Sequence, residues 1–394
     1  MILQILREFF LLGCTAFGGP TAHIGFFRDR FVEKRKWLDE EEFADILALC
    51  QFLPGPASSQ FGFAMGWKKG GVPGALAAWV GFTLPSAILM VLFGLGVAHF
   101  AAPDGSGWLR GLQIAVVAVV FQAVVSLART LCPDRTRALI AIASAAFILW
   151  NGAPYPQVLV ILAGAILGLL LCRSDRVDSS NQPTSIEESS PPLRGWIGGA
   201  CCLVLFFALL IGLPFLTSEQ EVAALFGSFY QSGALVFGGG HVVLPLLSDE
   251  VVGSGWLSQS EFMAGYGAAQ AIPGPLFNFS GFVGAALDWE QPPVFLALVA
   301  IVGIFLPGML LVLGVMPFWD RVRNIPAMRY ALAGTNAAVV GLLGAALYHP
   351  VWTGAISETG DVIFLLGVAA LLLVLKLPPW AVVLAAGLAG GLLL

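Results

Sequence analysis

Two short stretches place glycine, proline and histidine inside apolar segments, where a continuous membrane helix would be weakened. The first is FGGPTAHI at residues 17–24, and FGGGHVVL at residues 237–244 repeats the pattern. Glycine destabilises a helix, and proline removes a backbone donor. A broken helix leaves unpaired N–H groups at the start of the next segment, and such groups bind anions. The pattern therefore predicts an anion site built from backbone.

A second pair of breaks, Pro54-Gly55-Pro56 and Pro273-Gly274-Pro275, has the same character. Pro56 and Pro275 suit the first position of an outgoing half-helix. No Lys or Arg lies at the centre of an apolar segment, so four half-helix N-termini would have to hold the anion. Hydroxyl and amide side chains near the breaks can donate further hydrogen bonds. The candidate binding residues are Gly18, Gly19, His23, Gln51, Gly55, Ser58, Ser59, Gly238, Gly239, Gly240, His241, Gln270, Gly274 and Asn278.

Each candidate also has a structural explanation. Glycine and proline are frequent in membrane helices for packing and kinks alone, and both histidines could be packing residues. The candidates for proton coupling are Glu42, Asp45, Glu261 and His241. Glu42 and Glu261 occupy matched positions and could instead cap helices, whereas Asp45 could be an intramembrane carboxylate. Arg110 is read as an interfacial anchor.

Composition identifies the broad class. The chain has 394 residues, of which 58% are hydrophobic and only 11% charged, whereas soluble domains carry roughly 25% charged residues. We therefore predict an all-α polytopic membrane protein. The absence of a strongly basic domain argues against nucleic acid as a partner. The six cysteines show no metal-binding spacing, and no HExxH or GxSxG motif is present, so we expect no metal, no cofactor and no enzymatic activity.

The chain contains an internal duplication. The elements of one copy recur in the other at a nearly constant offset of 219 to 223 residues. The matched pairs are Trp37-Leu38 with Trp256-Leu257, Glu42-Phe43 with Glu261-Phe262, Gln51 with Gln270, Leu84-Pro85 with Leu306-Pro307, and residues 111–117 with 334–340. The predicted units are a first repeat at 1–172, a flexible cytoplasmic linker at 173–194, a connecting transmembrane helix at 195–217 and a second repeat at 218–394.

Basic residues predict that the two repeats are inverted in the membrane. Residues 28–36 hold five Lys and Arg, whereas the partner loop, 248–261, holds none. Further along, the bias reverses, because loop 99–110 holds only Arg110 while its partner holds three arginines. By the positive-inside rule, equivalent loops lie on opposite sides. This is the architecture of many secondary transporters.

The same charges predict re-entrant hairpins. Residues 28–36 and Lys68-Lys69 are both basic, so the segment between them, 43–66, should enter and leave on one side. Residues 1–27, 222–247 and 261–287 are assigned in the same way, although each segment could instead be one kinked span. The remaining predicted spans are 72–98, 111–128, 138–151, 155–172, 293–316, 331–347, 361–375 and 380–394.

The motifs FGGGHVVLPLL and QAIPGPLFNFSGFVGA, with their first-half counterparts, resemble the chromate ion transporter family, in its long two-half, ChrA-like form. The resemblance covers nearly the whole chain. It implies a multi-pass carrier of the bacterial inner membrane that exports chromate, driven by the proton gradient, and confers chromate resistance. Family members also carry sulfate-like oxyanions. The two copies are not identical at these motifs. The first has FGGPTAH and PASSQ where the second has FGGGH and PLFNF.

Three functions remain open from the sequence. The first is a secondary transporter for a tetrahedral divalent oxyanion, with chromate or a sulfate-like anion, protons and the lipid bilayer as partners. The second is a channel or lipid-phosphate translocator that uses the same hairpins. The third is an intramembrane enzyme. The oligomeric state is also open, with a homodimer as one option.

Overall fold

A computed structural model describes residues 1–100, 107–150, 156–172, 193–216, 221–323 and 325–394. Within these ranges the protein is helical and has no strand, as predicted. The helices of the first half are α1 (Ile2–Thr15), α2 (Gly19–Arg28), α3 (Glu40–Phe52), α4 (Ala57–Phe100), α5 (Gly107–Leu131), α6 (Arg135–Trp150) and α7 (Pro156–Leu171). A helix α8 (Leu193–Leu216) follows.

The second half repeats this series. Its helices are α9 (Glu221–Leu235), α10 (Val243–Val251), α11 (Gln259–Ala271), α12 (Phe279–Ala286), α13 (Pro293–Val315), α14 (Trp319–Val322), α15 (Pro326–Ala346), α16 (Thr353–Ala355), α17 (Thr359–Ala369) and α18 (Pro379–Leu393). Short 3₁₀ turns, Gly240–Val242 and Leu276–Asn278, lead into α10 and α12.

Among the described residues, five helices are long and apolar enough to cross a membrane: Ala57–Val97, Gly107–Leu131, Trp196–Phe215, Pro293–Phe318 and Pro326–Ala355. As far as its residues are described, each predicted span falls on helical structure, including the short runs at 138–150, 361–375 and 380–394. The backbone of α4 leaves helical geometry at Gly70 and Gly71, between the predicted hairpin 43–66 and the predicted span 72–98. Most of the predicted linker, 173–192, lies outside the described residues, and its last two residues begin α8 instead.

The segments at the first pair of breaks fold back on themselves in both halves. In the first half, Arg30 contacts Glu8 of α1 at 2.5 Å, and the rings of Phe9 and Phe27 lie 6.0 Å apart. In the second half, the Ser228 hydroxyl donates to Glu250 at 2.8 Å. The paired positions are separated by the same 220 residues in sequence, so the two antiparallel helix pairs are equivalent.

The segments at the second pair of breaks also return to their starting point. Lys68, where the first part of α4 ends, pairs with Glu42 in the first turn of α3 at 2.5 Å. In the second half, the rings of Trp256 and Trp289 flank α11 and α12, and their centroids lie 5.3 Å apart. Each pair brings the two ends of the segment together. The depth of these segments in a bilayer stays a prediction.

The two halves interlock through small residues. The central helix of each half packs against the last helix of the other, α5 against α18 and α15 against α7. A Cβ atom added to Gly390 would lie 2.5 Å from the Gly107 carbonyl, and one added to Gly334 would lie 2.1 Å from the Gly164 carbonyl. Such close backbone approach is typical of helix packing in membranes. The interlock fixes the breaks of one half against those of the other.

Candidate functional site

The breaks of the two halves are joined in a crossed manner. The backbone N–H of Gly55 donates to the carbonyl of Val236 at 2.7 Å, and the N–H of Gly274 donates to the carbonyl of Ala16 at 2.9 Å. Ala16 and Val236 each precede a Phe-Gly-Gly break by one residue. Each Pro-Gly-Pro loop therefore contacts the Phe-Gly-Gly break of the opposite half. We call these two contacts the crossed junctions.

The break glycines have a backbone geometry that other residues rarely adopt. Gly18 and Gly19 have φ of 99° and 76°, and Gly238 and Gly239 have φ of 76° and 141°. The glycine of each Pro-Gly-Pro loop also has a positive φ, 124° at Gly55 and 96° at Gly274. Only glycine populates this region readily. The prediction that these sequences interrupt helices is thus confirmed by the local geometry.

The junction at Ala16 and Gly274 is surrounded by buried polar side chains. The Asn278 amide donates to the Thr83 carbonyl at 2.9 Å and to the Ser86 hydroxyl at 2.5 Å. The Nε2 atom of His23 lies 3.2 Å from the Ala16 carbonyl, which also accepts from Gly274. Asn278 Oδ1, His23 Nδ1 and Thr83 Oγ1 are buried without a hydrogen-bond partner within the described part of the chain. Such orphaned atoms are uncommon and mark a place where a ligand or water can bind.

The junction at Val236 and Gly55 is less polar but similar in design. Gln60 donates to the Pro54 carbonyl at 2.8 Å, and its Oε1 atom has no partner among the described residues. Ser59 is buried in the first turn of α4, and its hydroxyl is also unpartnered there. Gly55 lies against Gly308, at the position that matches Ser86 of the other junction. The two junctions are therefore equivalent in backbone but not in side chains.

The remaining predicted binding residues are distributed unevenly. The 3₁₀ turn that contains Gly240 contacts Leu276 and Phe277, so both breaks of the second half meet. His241 bonds to the Tyr266 hydroxyl at 2.9 Å. Two helix positions complete the set: Ser58 is buried beside Ser59, and Gln270 lies in the last turn of α11. Gln51, by contrast, is exposed on α3 and does not join this group.

The predicted helix starts need one correction. Pro56 and Pro275 do not occupy the first helical position. Pro56 lies one residue before the start of α4, and Pro275 has an extended backbone one residue before the 3₁₀ turn. The first helical residue of α4 is Ala57, and a 3₁₀ turn at Leu276–Asn278 precedes α12. The backbone N–H groups of these first turns still follow the Pro-Gly-Pro loops directly.

Three polar residues at the junctions were missed from the sequence, namely Gln60, Thr83 and Ser86. Thr83 and Ser86 flank Leu84-Pro85, which recurs in the second half as Leu306-Pro307. That repeated proline was the available signal, because it marks a kink next to a matched break. Gln60 had no such signal, since its partner position in the second half is Phe279.

Two candidates for proton coupling have structural roles. Glu42 forms a capping box with Asp39 at the start of α3 and also pairs with Lys68. Glu261 forms the equivalent capping box with Ser258 at the start of α11. Capping boxes satisfy otherwise unpaired N–H groups at a helix N-terminus. These contacts favour the capping alternative, and a coupling role for either residue stays a prediction.

Asp45 and Arg110 each form an ion pair. Arg323 contacts Asp45 at 2.6 Å, and the Trp319 indole donates to the same carboxylate at 3.0 Å. Arg110 donates to Asp361 at 2.9 Å and so connects α5 to α17 of the opposite half. Arg110 is therefore more than an interfacial anchor. No group of three or more His, Cys, Asp or Glu suited to a metal ion occurs among the described residues.

Comparison with known proteins gives the family. The family model "Chromate transporter" matches residues 3–169 and 223–391. A "Chromate transport protein" of Pseudomonas aeruginosa is 29% identical over 407 residues, covering 99% of this chain and 92% of the relative. A "Chromate transport protein" of Cupriavidus metallidurans is 24% identical over 394 residues, covering 98% and 92%. No solved structure matches significantly. The helical, apolar chain with its paired breaks therefore belongs to the chromate transporter family, a family of membrane transporters and not of enzymes.

Proposed function

We propose that this protein is a secondary transporter that exports chromate, or a similar tetrahedral divalent oxyanion, across the bacterial inner membrane in exchange for protons. The observation that carries the proposal is the pair of crossed junctions. Each places positive-φ glycines, a helix start and unpartnered buried polar atoms at a contact between the two halves. Family relatives named as chromate transport proteins support chromate as the anion.

The site would bind an anion through dipoles rather than fixed charge. Backbone N–H groups at half-helix N-termini carry a partial positive charge. The Ser59 hydroxyl adds a side-chain donor, the Asn278 amide can donate to the anion in place of the Ser86 hydroxyl, and His23 adds a ring nitrogen whose role depends on its tautomer. Dipolar donors bind a dianion moderately, which permits release on the far side. A salt bridge to a buried Lys or Arg would hold it more tightly.

The interlocked halves suit alternating access. In this proposal the repeats have opposite orientations, the antiparallel helix pairs are re-entrant hairpins, and the crossed junctions lie near the bilayer midplane. Inverted repeats with broken helices at their interface are a common design for secondary transporters. Rocking one half against the other would expose the junctions to each side in turn.

Transport by purified protein in liposomes tests the proposal. With the membrane potential clamped, an imposed pH gradient should drive chromate to accumulate against its own gradient, and sulfate and molybdate should compete. A channel or lipid-phosphate translocator would give no uphill flux. Chromate flux that only dissipates its gradient would therefore refute the carrier mechanism.

Opposite orientation of the repeats predicts opposite accessibility of equivalent loops. In a background without native cysteines, Lys34→Cys should react with an impermeant thiol reagent only from the cytoplasm, and Ser254→Cys only from outside. Ser254 is exposed and suits labelling, whereas a side chain at Gly253 would lie 2.2 Å from the Asp249 carbonyl. Reaction of both cysteines from one side would rule out inverted repeats.

A further inference from the structure

A cavity of about 390 Å³ opens beside the first helix pair of the second half. Its lining includes Pro214 at the end of α8, Ser228 and Gln231 on α9, Glu250 on α10, and Ser254 and Trp256 in the following loop. The proposed topology places this loop outside, because residues 248–261 contain no Lys or Arg. The cavity is thus open to the side from which protons enter during export.

Glu250 is the ionisable side chain of this cavity. Its carboxylate accepts from the Ser228 hydroxyl at 2.8 Å, and within the described part of the chain it forms no ion pair. Burial raises the pKa of the Glu250 carboxyl above its ordinary value. The hydrogen bond from Ser228 partly offsets this rise in pKa, and the charge on Asp249 adds to it. Asp249 itself is bonded by Gln157 and faces His349.

The equivalent positions of the first half have the opposite chemistry. Glu8, which corresponds to Ser228, is 1% exposed and lies between Arg30 and Arg35. Arg30 corresponds in turn to Glu250. Glu8 therefore forms ion pairs with two arginines. In the second half the carboxylate of Glu250 has a neutral hydroxyl partner, Ser228, and Gly255 stands at the position of Arg35.

The cavity also leads toward a crossed junction. Gln231 lies four residues before Leu235, where α9 ends, a distance of about 6 Å along the helix axis at 1.5 Å per residue. The next residue, Val236, accepts the hydrogen bond from Gly55 of the first half. Ser228, the partner of Glu250, lies seven residues before Leu235, so protonation of Glu250 would change the charge about 10 Å along the helix axis from the end of α9.

We propose that Glu250 is the proton-binding carboxylate that couples the outward cavity to anion export. The inference rests on the proposed function. On the outward side Glu250 takes up one proton at a carboxylate oxygen and loses its charge. On the inward side it releases that proton. Glu250 is then neutral while the empty carrier returns inward and charged while the dianion is carried outward, so inward movement of a proton alternates with outward movement of the anion.

The test compares two fluxes in the same proteoliposomes, chromate accumulation driven by a pH gradient and chromate–chromate exchange without one. For the wild type, one pH unit can support a roughly tenfold accumulation per coupled proton. Glu250→Gln, which mimics the protonated state, should lose this accumulation and retain exchange. Glu250→Asp should restore part of the accumulation. Glu290→Gln, at an exposed acid, is the matched control and should keep both fluxes.

Each other outcome has a defined meaning. Wild-type accumulation in Glu250→Gln would overturn the inference, and so would equal loss of both fluxes, because a coupling residue spares exchange. Wild-type transport that ignores the pH gradient would overturn coupling by Glu250 while leaving an oxyanion carrier intact. A wild-type protein that moves no chromate would refute the proposed function itself.

Discussion

Gly239→Val should abolish chromate transport while the protein remains folded in the membrane. Gly239 has a φ of 141°, and a Cβ atom there would meet only Leu127 Cδ2, at 4.0 Å. Steric clash is therefore not the reason for the loss. A β-branched residue cannot hold this backbone conformation without strain of order 1–3 kcal/mol. Relief of the strain would turn the N–H groups of the following 3₁₀ turn away from the anion.

Gly344→Val is the matched control for this substitution. Gly344 lies inside α15, has no positive φ and has open space at the Cβ position. Valine is a moderate helix former and better than glycine, so stability and transport should be kept. The measurements are reconstituted transport, thermal unfolding in detergent and membrane abundance. Normal transport by Gly239→Val would show that the break is a packing device and that the anion binds elsewhere.

Much of the helical plan follows from local sequence. Apolar runs, prolines and paired glycines predict where helices begin and end, and the same breaks recur at offsets of 219 and 220. The capping boxes at Glu42 and Glu261 are also predictable locally, because a Ser or Asp three residues before a Glu is typical of a helix start.

The crossed junctions could not be predicted in the same way. The partners Gly55 and Val236 are distant in sequence, and the pattern gives no register between the halves. For the same reason, no local signal predicts that Asp45 pairs with Arg323 or that Arg110 pairs with Asp361. Long-range pairing of this kind depends on how helices interlock, and that is decided by shape complementarity between small residues over many contacts.

The second large effect is expected at Asn278. Its amide donates to the Thr83 carbonyl and the Ser86 hydroxyl, and its Oδ1 atom is buried without a partner within the described residues. In the proposed site one amide N–H of Asn278 turns from the Ser86 hydroxyl to the bound anion, so Asn278→Ala should weaken chromate binding by one hydrogen bond to a charged group, about 1.5–3 kcal/mol or roughly 10- to 150-fold in Kd. Ser59→Ala, at the matched position in the other half, should weaken binding by a similar amount.

Asn278→Asp should be far more damaging, although it is nearly the same shape. It would place a negative charge at a junction that has no Lys or Arg among its contacts in the described part of the chain. Two unit charges 4 Å apart repel by about 4 kcal/mol at an effective dielectric constant of 20, and a dianion doubles that figure. Binding should therefore fall below detection, whereas Asn278→Ala leaves it measurable.

Chromate binding to purified protein, followed by calorimetry, separates the three variants, and thermal unfolding shows whether each is folded. Ser144→Ala serves as the control: Ser144 is buried on α6 against Gly341 of α15, and this variant should bind chromate as the wild type does. The order wild type, then Ala, then Asp is the signature of an anion beside residue 278. Equal affinity of folded Asn278→Asp and Asn278→Ala would mean that no dianion comes close to this side chain, because a charge effect of this size cannot be hidden by packing.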